Sequence, residues 1–313
     1  EKKQTFFQMF NKSHKIKVSK EFLGQRIYNF LINYLKGIPR SKIYSIIRKG
    51  EVRVNGSRKK PLYKISEGDE IRIPPLNIDE KKELFIPENF IKLLKERIVY
   101  ENQNYLIINK PSGVASHGGS GIKLGLIESV RNFGKLYRDC KLIHRLDKDT
   151  SGCQIIAKKQ SFLRKCNEEI RLGRSYKEYI AIVNGRWPKT KTKVISSILK
   201  TKNKSGEHKV ISSSFGKESI TNFEVLSLSR NYSKLRCELV TGRTHQIRVH
   251  VSQEGYPIVG DSKYGCRAIK NEQKKIKKFY LHSHVLKIPD LGVSFKVEEP
   301  EDFDILLKND ENF

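Results

Sequence analysis

Apolar residues recur along this chain at two spacings, and the switches between them mark out the elements. Ile27, Phe30, Leu31, Tyr34 and Leu35 fall at helical spacing. Gly37 and Pro39 stop that helix. Ser41 can cap a second one, in which Ile43, Ile46 and Ile47 line one face and Gly50 ends the run. Val52 and Val54 then alternate as a strand does, and Asn55-Gly56 is a hairpin turn signal. Gly68-Asp69 turns the chain again before Ile71 and Ile73. These elements predict a small compact module over 17–76, preceded by a basic tail over 1–16. Pro74 and Pro75 close the module, and the charged stretch 77–93 reads as a linker. Beyond it, Ile98-Val99-Tyr100 and Tyr105-Leu106-Ile107-Ile108 read as a hairpin. Phe162, Cys166 and Ile170 predict a helix ended by Gly173. Tyr179 to Val183 predicts a strand running into Asn184-Gly185. Phe223, Val225 and Leu228, then Leu235, Cys237 and Leu239, predict further strands, and Ile247 and Val251 a helix after Thr241-Gly242. The class is α+β, with a larger domain over 94–313.

One polar stretch stands apart. Between the apolar pair Leu142-Ile143 and the run Ile155-Ile156-Ala157 lies His144-Arg145-Leu146-Asp147-Lys148-Asp149-Thr150-Ser151-Gly152. Its small residues suit a tight turn between two strands. Asp147 stands between the cations Arg145 and Lys148, which favour the ionised form that a nucleophile requires. By composition alone such a turn is more often a solvated surface loop. Gly118, Gly119 and Gly121 form a loop that can bring backbone close to a phosphate, or simply a flexible one. No Gly-Lys-Ser or Gly-Lys-Thr follows, so it is not a nucleotide-binding P-loop. His245 and His250 lack a metalloprotease spacing, and no metal site is expected from them. His282 and His284 alternate in a strand pattern and read as structural.

The nonapeptide resembles the signature of the RluA-type pseudouridine synthases. Further strings similar to that family follow in its order: Asn109-Lys110-Pro111-Ser112-Gly113, Tyr176-Lys177-Glu178-Tyr179, Leu239 to His250 containing Thr241-Gly242-Arg243-Thr244-His245-Gln246-Ile247-Arg248, Gly260-Asp261-Ser262-Lys263-Tyr264-Gly265, and Leu281-His282. The resemblance spans nearly the whole chain. It implies a catalytic domain built on a mixed, mainly antiparallel sheet, and isomerisation of uridine to pseudouridine with Asp147 as nucleophile. It further implies that Tyr179 stacks on the target base and is a candidate general base. Arg243 would pair with Asp147, and Arg145 would fill the stack that the flipped base vacates. The module over 17–76 resembles an S-four-type RNA-binding module. That likeness rests on Pro39-Arg40-Ser41-Lys42, on Arg48-Lys49-Gly50-Glu51-Val52-Arg53-Val54-Asn55-Gly56 and on Glu67-Gly68-Asp69. Arg40, Lys42, Arg48, Lys49 and Arg53 would then meet phosphates, which position RNA without reading its sequence. Within the family, the module and the Gly-rich loop point to enzymes acting on 23S ribosomal RNA of the large subunit.

Charge agrees with that direction without deciding it. The chain has 62 Lys and Arg against 34 Asp and Glu, a net charge of +28. A polyanionic partner would account for this, and so would a composition biased throughout toward Lys, Ile and Asn. Distribution says more: residues 1–75 carry 18 basic and 6 acidic side chains, whereas the stretch from Glu298 to Phe313 is acidic. A second basic run extends from Arg267 to Lys278. Five widely spaced cysteines, Cys140, Cys153, Cys166, Cys237 and Cys266, form no Cys-x-x-Cys pair, which favours a reducing compartment. No apolar run is long enough to cross a bilayer, and Glu1 to Phe7 has no signal-peptide core. The expected protein is a cytoplasmic monomer. The isomerisation needs no redox step, and no nicotinamide or flavin fingerprint is present, so no cofactor is expected. Two other classes share some of these features. One is a non-catalytic RNA-binding factor, and the other is a sugar-bond hydrolase using Asp147 and Asp149, which sit too close on one turn to flank a bond.

Overall fold

The computed structural model describes residues 12–35, 38–76, 85–118, 124–202, 208–265, 276 and 278–311. Gly37, Gly119, Gly121, Cys266 and most of the run from Arg267 to Lys278 lie outside them. The chain forms two compact units, Glu1–Glu83 and Leu84–Phe313.

In the first unit, helices α1 (Ile27–Tyr34) and α2 (Arg40–Lys49) cover a four-stranded antiparallel sheet. Its strands are β1 (His14–Lys17), β2 (Arg53–Val54), β3 (Ser57–Arg58) and β4 (Glu70–Ile73), in the order β1-β4-β2-β3. The apolar faces read from periodicity meet in one core of Ile27, Phe30, Leu31, Ile43, Ile46, Ile47, Val54, Ile71 and Ile73. Each such side chain contributes about 1.5–3 kcal/mol when fully buried. Helix α2 starts after Pro39 rather than behind a Ser41 cap, because Pro39 is already fixed at the helix entry with φ −56°. Gly50 ends it in the left-handed region at φ 75°. Asn55 and Gly56 both have positive φ, as a tight hairpin turn demands. Asp69 locks the other turn. Burial would raise its carboxyl, but hydrogen bonds from Ser66 N–H, Asn55 and Tyr63 bring it below its ordinary value. Arg40, Lys42, Arg48 and Lys49 are exposed on α2, and Arg53 is half-buried on β2.

The second unit is built on an eleven-stranded sheet. Its strands are β5 (Ile98–Glu101), β6 (Tyr105–Lys110), β7 (Lys141–Leu142), β8 (Ser151–Ala157), β9 (Tyr176–Asn184), β10 (Lys193–Lys202), β11 (His208–Ser212), β12 (Lys217–Leu228), β13 (Tyr232–Leu239), β14 (Leu281–Ile288) and β15 (Val293–Lys296). The main path runs β11-β10-β12-β13-β9-β14-β8-β6-β5, with β15 beside β14 and β7 beside β8. Every pairing is antiparallel except β14 with β8. There His282 faces Ser151 and Ser283 faces Gly152. Gly152 has φ +107°, and a Cβ on it would come within 2.3 Å of the Ser283 carbonyl, so only glycine fits. Helix α3 (Glu88–Glu96) takes up part of the expected linker. Pro87 opens it, and Phe90, Ile91 and Leu94 pack against Leu106 and Ile108. Helices α4 (Leu126–Val130), α5 (Gln160–Arg171), α6 (Gln246–Gln253) and α7 (Asp302–Glu311) complete the unit. In α6, Val249 packs on Ile198 of β10 and Val210 of β11.

His144, His250 and His282 are held in their neutral form by burial. His282 accepts a hydrogen bond from Ser151 Oγ at Nδ1 (2.9 Å) and donates from Nε2 to the Val297 carbonyl (3.0 Å). Burial pushes His282 and His250 each down to about 4, and His144 to about 3. All three bind a proton more weakly folded than unfolded, so their stabilisation is complete above the ordinary histidine value and is lost as pH falls below it. The urea midpoint is therefore expected to drop on acidification from pH about 6.5 toward 4. His282→Asn should start lower and show a shallower slope in that window.

Candidate active site

The loop carrying Asp147 joins β7 to β8, and its shape is set carbonyl by carbonyl. Lys110, at the end of β6 and fully buried, donates from Nζ to the carbonyls of Lys148 (2.9 Å), Val114 (2.6 Å) and Pro111 (3.0 Å). Burial pushes its amine down to about 7, against the pull of Asp149 and Asp147. Ser112 Oγ donates to the Asp149 carbonyl (2.6 Å). Ser116 Oγ accepts from Leu146 N–H (2.9 Å) and donates to the Leu146 carbonyl (2.8 Å). Gln154 of β8 donates to the His144 carbonyl (3.0 Å), and Ile155 N–H donates to His144 Nε2 (3.2 Å). Side-chain and backbone donors of β6, β8 and the segment between β6 and α4 thus replace the sheet hydrogen bonds that this loop gives up. Leu146 anchors it in the core beside Tyr179, Ile247 and Leu281.

Asp147 is left half-buried, its side chain 26% exposed. Its Oδ2 accepts a 2.8 Å hydrogen bond from Nη1 of Arg248 on α6. The other edge of that guanidinium is engaged too: Nε and Nη2 each donate at 2.9 Å to the two oxygens of Asp261, which is 2% exposed. Asp261 also accepts the backbone N–H groups of Lys263 and Tyr264. The rings of Tyr264 and Phe279 approach the guanidinium at 5.0 and 5.1 Å. Burial opposes the Arg248 charge, but hydrogen bonds and charge from Asp261, and then Asp147, raise its pKa above the ordinary value. One arginine is therefore forked onto a structural carboxylate and offers its remaining nitrogen to Asp147. His245, at the N-terminal end of α6, brings Nε2 to 3.6 Å from Asp147 Oδ1. Burial lowers its pKa, so it is neutral and this contact is not an ion pair.

Tyr179 on β9 lies in the same core cluster as Leu146 and is buried. Burial, with the nearby Asp147 charge, raises its phenol above the ordinary value. Arg145 and Arg243 are both exposed. Among potential metal ligands, His284, Glu298 and Glu299 come together, but Lys296 and Lys234 already pair with the two carboxylates at 2.7 Å each.

The sequence matches the RNA pseudouridylate synthase family over residues 104–253 and the S4 domain over residues 25–71. It is 43% identical over 295 residues to the ribosomal large subunit pseudouridine synthase C of Salmonella typhi, covering 92% of each chain. The same-named protein of Escherichia coli (strain K12) is 42% identical over 295 residues, again 92% of each chain. That of Haemophilus influenzae is 43% identical over 270 residues, 85% of this chain and 84% of the relative. This chain belongs to the RNA pseudouridylate synthase family. It is accordingly an isomerase, with an S4 domain ahead of its catalytic domain. Human RNA pseudouridylate synthase domain containing 1 is similar in structure, with a TM-score of 0.55 at 27% identity over 66% of this chain and 83% of that one. Human RNA pseudouridylate synthase domain containing 4 shares the fold, with a TM-score of 0.57 at 24% identity over 69% and 93%.

One expected pairing is corrected. Arg243 does not pair with Asp147; its Nε donates to the Glu218 carbonyl at 3.2 Å and its side chain lies exposed. The reason is local. Arg243 is on the turn before α6, where Gln246 accepts its backbone N–H and pins the turn to Ile220 and Thr221 of β12. Arg248, inside α6, is the arginine that reaches the synthase loop. Arg248 and Asp261 stand within the family strings, which assign a role to neither. A signal was available in their types, a cation and a carboxylate both set among apolar residues.

Arg248→Lys keeps the charge but cannot fork onto Asp261 and reach Asp147 together. Its pseudouridine-forming rate is expected to fall by roughly 100-fold or more, the scale on which a small misplacement acts. Arg243→Ala should leave single-turnover chemistry near the wild-type rate. A larger loss for Arg243→Ala than for Arg248→Lys would reverse this assignment.

Proposed function

We propose that this enzyme converts uridines of large-subunit 23S ribosomal RNA to pseudouridine in the cytoplasm, with Asp147 as nucleophile. The observation that carries the reading is the 2.8 Å pairing of Asp147 Oδ2 with an arginine already locked onto a second carboxylate. It fixes one oxygen and leaves Oδ1 without a hydrogen bond among the described residues, on a side chain that is 26% exposed. The curated relatives bear the name of a ribosomal large subunit enzyme, which supports the choice of RNA.

The reaction breaks the bond between C1′ and N1 and rejoins C1′ to C5 of the same uracil, whose C5 proton is then lost. Asp147 is the nucleophile that holds either the sugar or the ring between those events. Tyr179 supplies an aromatic face for the uracil, which must leave its helix to be reached. Burial keeps its phenol in the neutral form, raised above the ordinary value. Arg145 is exposed on the same turn, two residues from Asp147, and fills the vacated stack with its planar guanidinium. Arg40, Lys42, Arg48, Lys49 and Arg53 of the S4 domain bind phosphates and raise the affinity for long RNA.

Asp147→Asn preserves shape and removes the nucleophile. It is expected to give no pseudouridine by mass mapping of treated ribosomal RNA while binding that RNA within a few-fold of wild type. Product formation by this variant would sink the mechanism. Removing residues 1–83 should weaken binding to ribosomal RNA far more than it slows turnover on a short RNA. An equal loss on both substrates would make the S4 domain a structural part of the enzyme.

A further inference from the structure

Asp147 has two oxygens, and the known part of the site accounts for one. The other faces His245, which the reading above does not use. Three observations bear on this histidine. The first is its backbone: φ is 55°, and among the described residues only Asn55 shares a positive φ without being glycine. An imidazole in that conformation carries a strain of about 1 kcal/mol or more that Gly or Asn would largely avoid. The second is its tautomer. Tyr264 Oη accepts the Val210 N–H (3.2 Å), so its own proton is free to go to His245 Nδ1 at 2.6 Å. A neutral ring that accepts at Nδ1 carries its proton on Nε2. The third is aim: that Nε2 is 3.6 Å from Asp147 Oδ1. This is beyond hydrogen-bond range, and such contacts commonly tighten when substrate is seated.

We propose that His245 is a positioning residue for the reacting carboxylate, donating Nε2–H to Asp147 Oδ1 when the nucleotide is bound. Tyr264 then serves both sides of Asp147. Its ring supports Arg248, which holds Oδ2, and its hydroxyl sets the tautomer of His245, which guides Oδ1. The carboxylate plane is fixed at two points rather than one, so rotation about the Cβ–Cγ bond no longer misdirects the attack. The inference rests on Asp147 being the nucleophile.

The test compares His245→Gln with His245→Asn in the full-length enzyme, on a ribosomal RNA fragment, with Asp147→Asn beside them. The amide nitrogen of Gln reaches where Nε2 stands, whereas that of Asn reaches only where Nδ1 stands. His245→Asn tolerates the backbone conformation and keeps a partner for Tyr264, yet kcat is expected to fall about tenfold or more with KM within about twofold. His245→Gln should recover most of that loss. Tyr264→Phe keeps the ring and removes the proton that sets the tautomer, and it should lower kcat several-fold with KM unchanged. Equal kcat for Gln and Asn, or a wild-type kcat for Tyr264→Phe, would overturn the proposal. Activity in Asp147→Asn would instead overturn the reading on which it rests, whatever the His245 variants do.

Discussion

The catalytic domain depends on one planar cation. Arg248 is buried, and a buried guanidinium without partners would cost several kcal/mol. Asp261 removes that cost with two parallel hydrogen bonds, and the flanking rings of Tyr264 and Phe279 close its faces. Once locked, the group has one direction left, toward Asp147. A lysine could balance the charge but not impose the direction, because an ammonium has no plane. Charge and geometry at Asp147 therefore have a single origin.

The other half of the arrangement is a loop with little regular structure that is nonetheless tightly determined. The carbonyls of His144, Leu146, Lys148 and Asp149 each receive a hydrogen bond from Gln154, Ser116, Lys110 and Ser112 respectively. These donors explain why the stretch from Asn109 to Ser116 matters to a loop some thirty residues downstream. Neutral His144 takes part as an acceptor from Ile155 N–H, a role that its low pKa protects. Precision at Asp147 thus comes from polar contacts made to the backbone of its loop.

Much of this was legible in the sequence. The 3.6-residue period gave α1, α2 and α5, and Asn55-Gly56 gave its hairpin, because in each case one face is buried and the other is wet. Where that contrast fails, the reading failed. Strands β10 and β11 went unread: Val194, Ile198 and Val210 are buried, but the apolar Ile195, Leu199 and Ile211 between them are exposed, so apolar residues stand on both faces. In α6, the six residues from Gln246 to Val251 are all buried, so no polar stripe marks which side chain faces the nucleophile. The family string holds two arginines, Arg243 and Arg248, and the resemblance ranked Arg243 as the partner of Asp147. That ranking depends on whether each stands on the turn before α6 or within the helix, a difference of five positions that only coordinates resolve.

The parallel pairing of β8 with β14 has a kinetic corollary. Parallel neighbours need a long crossover, and here β8 and β14 come from segments separated by more than half of the catalytic domain. The sandwiching ring of Phe279 and the strand beside the nucleophile loop both belong to that late segment. Contacts this remote in sequence close slowly, since the entropy of the intervening loop must be overcome first. During synthesis, the S4 domain, a compact unit with its own core, can fold while the catalytic centre is still unassembled. The first unit therefore has its whole core in hand before the catalytic centre does.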